Sequence, residues 1–253
     1  MKILISPAKS LDYKSALPTA KHTTPAFLSE AKQINAALKS KSPAELQKLM
    51  HISEKLADLN WKRNQKFTIP FTTANARPAV FAFNGDVYSG LDAYSLSENA
   101  LGIAQQNLRI LSGLYGILKP LDLMQPYRLE MGTSFGLNGQ KSLYAFWKQE
   151  LTTHLKNELS SSELVVNLAS KEYASAIDFD ALNTSVIHPV FKDFKNGKLK
   201  IISFFAKKAR GLMTRHLIET NAQTTEDVLA FASDGYTFNE TETTEATQPV
   251  FVR

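Results

Sequence analysis

Apolar residues along the chain fall into two patterns, short continuous runs and longer segments with helical spacing. The runs are typical of buried strands and predict strands at Lys2–Ile5, Ala79–Phe83 and Leu164–Leu168. The helical spacing predicts helices over Pro25–Lys39, Pro43–His51, Ser53–Gln65, Glu98–Asn107 and Ser142–Leu159. Strands interspersed with helices in this way indicate a mixed α/β (α+β) fold.

Local turn and cap signals sharpen two parts of this assignment. Ser42 and Glu45 form a capping-box pattern around Pro43, which predicts a helix start there. Further along, Val186–Phe194 and Leu199–Phe205 flank an Asn-Gly pair, the strongest short-range signal for a β-hairpin. A helical segment then runs to about Asn221.

Composition limits the possible classes of protein. The chain has 253 residues, 43% of them hydrophobic, and no Gly/Ser-rich or Pro-rich linker, so we expect one compact domain over residues 1–253 with a partly frayed end from about residue 239. The absence of cysteine excludes disulfides and thiolate metal sites, and the five histidines show no metal-ligand spacing, so no metal or cofactor is expected. The first apolar run is too short for a signal peptide, which predicts a cytoplasmic location.

Positive charge is concentrated in one segment. Residues 192–216 contain eight lysines and arginines and one acid, whereas the whole chain has a net charge of only +5. Such a stripe is the expected footprint of a polyanion partner, although a solvated basic face is a common alternative. Lys207, Lys208, Arg210 and Arg215 are its helical part.

A glycine motif offers a second candidate for anion binding. In Leu111–Pro120, Gly113 and Gly116 are separated by Leu114 and Tyr115. Glycines allow a tight turn whose N–H groups approach a phosphate, as in a helix-hairpin-helix element. Arg109 and Lys119 flank the turn and could supply countercharge, while a strand over Leu108–Leu118 remains the alternative.

Acids and bases also occur together on predicted loops. Asp86 follows an Asn-Gly turn, and Arg128 and Glu130 lie in another polar segment. If the fold brings them together, Asp86 and Glu130 could act as an acid–base pair. A structural ion pair with Arg128 explains the same residues equally well.

Several blocks of the sequence together resemble the YaaA family of bacterial peroxide-stress proteins. The resemblance covers about residues 1–240. Its blocks, in chain order, are Ile5–Tyr13, Asn84–Leu91, Leu108–Gly132, Asn167–Tyr173, Ile201–Arg215 and Asp234–Tyr236.

The resemblance implies a fold peculiar to the family and a cytoplasmic protein that limits DNA damage and free iron during peroxide stress. It also implies sequence-independent binding of double-stranded DNA through a basic cleft with a helix-hairpin-helix element at Gly113–Gly116. The candidate cleft bases are Lys9, Arg128, Lys207, Lys208 and Arg210.

Two further functions stay open at this stage. An enzyme acting on a nucleotide or other phosphorylated substrate would hold the anion with Lys9, Arg128, Lys207 and Arg210, and use Asp86 or Glu130 as acid–base. A pure phosphate binder gains nothing from acids unless they orient its bases. Direct iron binding by the acids is the third reading and lacks a paired His/carboxylate spacing.

Overall fold

A computed structural model describes residues 1–160 and 162–253. Its helices are α1 Leu28–Lys39, α2 Pro43–Met50, α3 Glu54–Lys66, α4 Ala79–Ala82, α5 Asp86–Leu91, α6 Glu98–Asn107, α7 Leu143–Glu158, α8 Lys171–Ala174, α9 Ser203–Glu219 and α10 Thr225–Leu229. Its strands are β1 Lys2–Ile5, β2 Ser10–Leu11, β3 Arg77–Pro78, β4 Phe83–Asn84, β5 Leu108–Ser112, β6 Gly116–Leu118, β7 Leu123–Met124, β8 Val165–Asn167, β9 Val186–Ile187, β10 Val190–Lys195, β11 Lys198–Lys200, β12 Thr237–Phe238 and β13 Val250–Val252. The predicted mixed α/β fold is confirmed.

The central sheet has the strand order β6–β5–β1–β8–β9. Strand β1 is parallel to β5 and to β8, and β8 is parallel to β9. Strands within a parallel sheet are covered on both faces and therefore need continuous apolar sequence. The buried runs at Lys2–Ile5 and Val165–Asn167 meet this requirement, which confirms both predicted strands.

A second sheet has the order β11–β10–β13–β12. Strands β10 and β11 form the predicted hairpin, and Asn196 and Gly197 both adopt positive φ angles at its turn.

The end of the chain does not fray as expected. Strand β13 lies parallel to β10, and the side chain of Phe251 is fully buried between the strands and helices that surround it.

Helix starts follow the local signals closely. Ser42 and Glu45 form both hydrogen bonds of the predicted capping box at α2. Ser53, Ser97 and Ser142 each accept a hydrogen bond from the first turn of the following helix.

No helix in residues 1–160 and 162–253 is both long and apolar enough to cross a membrane.

Two predictions made from the sequence differ from the structure. Residues 79–82 form the short helix α4 rather than a strand, because a fully buried apolar run has no polar face to reveal its period. Leu108–Leu118 forms the β5–β6 hairpin, so the strand alternative is correct and the helix-hairpin-helix prediction at Gly113–Gly116 is wrong. Gly116 has a φ of +68°, and the residues of this turn are buried.

Helices α5 and α9 cross with their backbones in direct contact. A Cβ atom on Gly90 would lie 2.2 Å from the carbonyl oxygen of Lys208, and one on Gly211 would lie 1.9 Å from the carbonyl oxygen of Val87. Real Cβ atoms do not approach backbone this closely. Glycine at both positions is therefore what permits the crossing.

We predict that Gly211→Ala destabilises the protein by about 1–3 kcal/mol, because the added methyl group overpacks a backbone contact that cannot move aside. Urea unfolding followed by circular dichroism measures the change.

Gly102→Ala is the matched control, since Gly102 is an exposed helical glycine with open space around its Cα. This variant should be more stable by up to about 1 kcal/mol, as expected for replacing glycine by alanine within a helix. Equal effects of the two substitutions would contradict the packing argument.

Candidate functional site

A pocket of about 370 Å³ opens at the carboxyl ends of parallel strands β1 and β8. The segment Ser6–Ser10 leaves β1 and forms one wall, and Ser170 follows β8 on the same side. Residues 84–88, residues 127–130, helix α8 and helix α9 complete the lining. The carboxyl edge of a parallel sheet is where α/β proteins usually bind ligands, as the position of Lys9 predicts.

Basic side chains from separate parts of the chain converge on this pocket. Lys9 comes from the segment after β1, Arg128 from the segment after β7, and Lys207 and Arg210 from the first half of α9. Lys207 and Arg210 are three residues apart, so they lie on the same face of the helix. The four side chains that were predicted to hold an anion therefore share one pocket.

Glu130 connects two of these bases. Its carboxylate lies 2.8 Å from Nζ of Lys9 and 3.1 Å from Nη2 of Arg128, from which it accepts a hydrogen bond. The Arg128 and Glu130 side chains are partly buried, with 16% and 26% of their surface exposed. Glu130 thus orients the two cations, which explains an acid within a basic site.

The two arginines of the pocket retain binding capacity. Burial lowers the pKa of Arg210, and in the described part of the chain no carboxylate forms an ion pair with it. Nε of Arg128 is buried and has no hydrogen-bond partner among the described residues. Buried cationic donors of this kind favour an incoming anion, because the anion replaces the water that burial removed.

Asp86 is the first residue of α5 and also lines the pocket. Within residues 1–160 and 162–253 it takes part in no ion pair, unlike Glu130. Tyr88, Tyr127 and Tyr173 also line the pocket, and burial raises the pKa of each hydroxyl well above its usual range. They are therefore neutral hydrogen-bonding groups at physiological pH.

Residues 1–242 match the sequence model of the peroxide stress protein YaaA. The chain belongs to the YaaA family. It is 59% identical over 239 residues to a UPF0246 protein of Flavobacterium johnsoniae, an alignment that covers 94% of this chain and 95% of that protein. UPF0246 proteins of Saccharophagus degradans and Aliivibrio fischeri are 53% and 52% identical over 255 residues, covering 100% of this chain and 99% and 98% of theirs.

Other basic residues that were predicted to contact DNA lie outside this pocket of the YaaA-family chain. Arg109 is 3% exposed and lies 2.7 Å from Glu158, which also pairs with Lys119. Arg109 and Lys119 line a separate cavity of about 190 Å³. Their charges are therefore used within the fold.

The remaining residues of the basic stripe on α9 are also paired. Nζ of Lys208 lies 3.2 Å from Asp234, and Arg215 lies 2.7 Å from Glu219. Neither lines the pocket. The helical part of the stripe therefore divides into residues that line the pocket, Lys207 and Arg210, and residues paired with acids, Lys208 and Arg215.

The predicted glycine turn is also placed differently in this YaaA-family fold. Gly113, Leu114, Tyr115 and Gly116 are buried, so their N–H groups do not face a ligand. The N–H of Tyr115 donates to Oγ of Ser112 at 3.0 Å. A Cβ atom on Gly113 would lie 2.3 Å from the carbonyl oxygen of Leu129, so the turn packs behind the segment that carries Arg128 and Glu130.

Sequence reasoning missed part of the pocket. Ser6, Ser170, Glu172 and Tyr173 line it but were not among the predicted site residues. Ser6 and Ser170 are joined by a hydrogen bond from the Ser170 N–H to Oγ of Ser6, at 2.9 Å. Each of these two serines follows a buried parallel strand, and this position in the sequence could have identified them as pocket residues.

The buried Arg109–Glu158 pair should contribute stability that depends on pH. Partial burial works to raise the pKa of Glu158, but hydrogen bonds from His154 and Arg109 outweigh it, so its pKa lies well below the usual range. A carboxyl group with a lowered folded-state pKa stabilises the protein above its unfolded pKa of about 4.3, and this contribution is lost as the pH falls.

We predict that Glu158→Gln lowers the free energy of unfolding at pH 7 by about 3 kcal/mol, because Arg109 then remains buried without its partner. The difference from the parent protein should shrink as the pH falls below about 4.3. Urea unfolding across a pH series measures both effects. Asp178→Asn, which breaks an exposed pair with Lys148, is the control and should cost less than about 1 kcal/mol.

Proposed function

We propose that this protein binds double-stranded DNA without sequence specificity, through phosphate contacts in the pocket lined by Lys9, Arg128, Lys207 and Arg210. The proposal accounts for the DNA-protecting side of a peroxide-stress role and places the protein in the cytoplasm, with the bacterial DNA. The family resemblance also implies that the protein limits free intracellular iron, and we propose that this effect occurs together with DNA protection.

The observation that carries this proposal is the convergence of those side chains, with the uncompensated burial of Arg210 and of Nε of Arg128. A phosphodiester supplies a negative charge for Arg210, which has no carboxylate partner among the described residues, and an acceptor for Nε of Arg128. Arginine is suited to this role because its planar guanidinium can form two parallel hydrogen bonds with phosphate oxygens.

The size of the pocket supports backbone contact rather than base reading. A volume of about 370 Å³ is in the range of small-ligand sites, far less than a duplex occupies. A projecting phosphate can enter, while the base edges of a paired duplex remain outside. Contacts to phosphates position a protein on DNA and carry no sequence information themselves.

We predict that Lys207→Ala weakens DNA binding and makes the slope of log affinity against log salt shallower by about 0.9, the value for one lost phosphate contact. Fluorescence anisotropy with unrelated duplexes across a salt series measures both quantities. The unrelated duplexes should bind with equal affinity.

Lys208→Ala is the matched control, because Lys208 is the next residue of the same helix and its ammonium is paired with Asp234. Its salt slope should remain that of the parent protein. Identical changes in the two variants would indicate a diffuse charge effect and overturn the assignment to the pocket. Absence of binding at low salt would overturn DNA binding altogether.

An enzyme acting on a nucleotide or other phosphorylated substrate is the second candidate, and the position of Asp86 favours it. Glu130 is already engaged by Lys9 and Arg128, so orientation of these bases explains its presence. Asp86 has no such pairing in the described residues, although it faces the same pocket. A carboxylate free to accept a proton beside a bound phosphate is suited to general base catalysis.

The two candidates predict opposite results for Asp86→Asn. If DNA binding is the whole function, this variant should bind DNA as tightly as the parent or more tightly, since a negative charge leaves the pocket, and it should protect cells from hydrogen peroxide equally well. If catalysis is required, protection should be lost while DNA affinity is kept. Survival of a deletion strain carrying each variant, together with anisotropy, separates these outcomes.

A further inference from the structure

The pocket is larger than the phosphate group for which its basic side chains are suited. Its volume is about 370 Å³, and Lys207 and Arg210 line it from one face of α9. A single phosphate group fills only a small part of this volume. The paired bases of a duplex do not enter the rest, so a duplex leaves most of the pocket unused.

Much of the remaining lining is aromatic or apolar. Tyr88, Tyr127 and Tyr173 line the pocket together with Val87 and Leu129. Apolar and aromatic walls with a few convergent polar groups are characteristic of sites for small organic molecules. A bound aromatic ring gains favourable contacts with such side chains, because aromatic groups pair with one another. The lining therefore suits a ligand that joins an aromatic ring to a phosphate.

Two of these tyrosines are held in place by the fold. The hydroxyl of Tyr88 donates a hydrogen bond to the carbonyl oxygen of Ser6 at 3.1 Å. The hydroxyls of Tyr127 and Ser112 are 2.6 Å apart, and the ring of Tyr127 packs edge to face against Tyr115 with 5.2 Å between the ring centroids. Because both rings are fixed before a ligand arrives, binding costs them little conformational freedom.

Two cations of the pocket are available to the phosphate of such a ligand. Lys9 is already paired with Glu130, whereas neither Lys207 nor Arg210 pairs with a carboxylate in residues 1–160 and 162–253. A phosphate monoester carries nearly two negative charges at neutral pH, because its second pKa is about 6. Two unpaired cations match the charge of a monoester, whereas a phosphodiester carries only one negative charge.

An acid of the pocket is suited to hydroxyl groups of the ligand. Asp86 lines the pocket and takes part in no ion pair among the described residues. A carboxylate accepts hydrogen bonds from ribose hydroxyls, the role that an acid plays in dinucleotide-binding folds. The deoxyribose within a DNA strand lacks the hydroxyl that distinguishes RNA. Asp86 thus gives the pocket a feature that duplex DNA does not use.

We propose that the pocket binds a free nucleoside monophosphate, with its phosphate on Lys207 and Arg210, its ribose hydroxyls on Asp86 and its base in the tyrosine-lined part. Inorganic phosphate satisfies the cations alone, and a sugar phosphate leaves the aromatic lining in contact with water. The inference rests on the proposed function in one respect. Because the nucleotide uses the same cations as a DNA phosphate, the free nucleotide excludes DNA and regulates its binding.

Isothermal titration calorimetry of the full chain with adenosine monophosphate tests the inference. Ribose phosphate, adenosine and inorganic phosphate are the comparison ligands, since each lacks a part of the nucleotide. Adenosine monophosphate should bind about tenfold or more tightly than each of them, and tenfold corresponds to about 1.4 kcal/mol, the size of one aromatic contact. It should also displace a labelled duplex, as measured by fluorescence anisotropy.

Two variants test the assigned contacts. Lys207→Ala should weaken the binding of adenosine monophosphate about tenfold or more, whereas Lys208→Ala, the matched control on the same helix, should change it less than about twofold. The parent protein should prefer adenosine monophosphate about fivefold over its dideoxy analogue, which lacks both ribose hydroxyls. Asp86→Ala should abolish this preference. Because the preference is a ratio measured on one variant, a general loss of stability would not abolish it.

Equal binding of adenosine monophosphate and the three comparison ligands would indicate an unspecific anion site and overturn the inference. Absence of nucleotide binding, with the Lys207 effect on the DNA salt slope intact, also overturns it and leaves the proposed function standing. Nucleotide binding with the expected ratios but without displacement of the duplex upholds the nucleotide site and overturns the placement of DNA in this pocket.

Discussion

The backbone contact between helices α5 and α9 is the constraint on which the candidate site depends. Gly90 and Gly211 meet where any larger residue would strike a carbonyl oxygen, so the two helices approach more closely than side chains normally allow. Asp86 lies at the start of α5, and Lys207 and Arg210 lie on α9 just before the crossing. Two glycines thereby bring an acid and two bases from distant sequence positions into one pocket.

The opposite wall of the pocket depends on the central sheet. The chain leaves the buried strands β1 and β8 at the same edge, which places Lys9 and Ser170 around a common opening. The β5–β6 turn supports the segment bearing Arg128 and Glu130, since Gly113 contacts the backbone at Leu129. Cations held in this way lose little conformational freedom on binding, so more of each contact remains as affinity.

The chemistry of the pocket combines several basic side chains with an acid that orients two of them. The pocket offers buried, oriented charge suited to phosphate, and Glu130 contributes by holding two of the bases in place. Glu130, an acid that a uniform basic surface would not need, therefore has a specific place in this arrangement.

The sequence alone determined the mixed α/β class, the caps of α2 and the other serine-capped helices, the Asn-Gly hairpin and the family, because these depend on local chemistry or on extended similarity. It also supplied Lys9, Arg128, Lys207 and Arg210 as candidates. Tertiary structure decided which bases reach the pocket: Lys207 and Arg210 line it, whereas Lys208 and Arg109 lie outside it and are paired with acids. Tertiary structure also decided the role of Gly113. Close backbone packing and close approach of a phosphate both require a residue without a side chain, so the sequence cannot distinguish them.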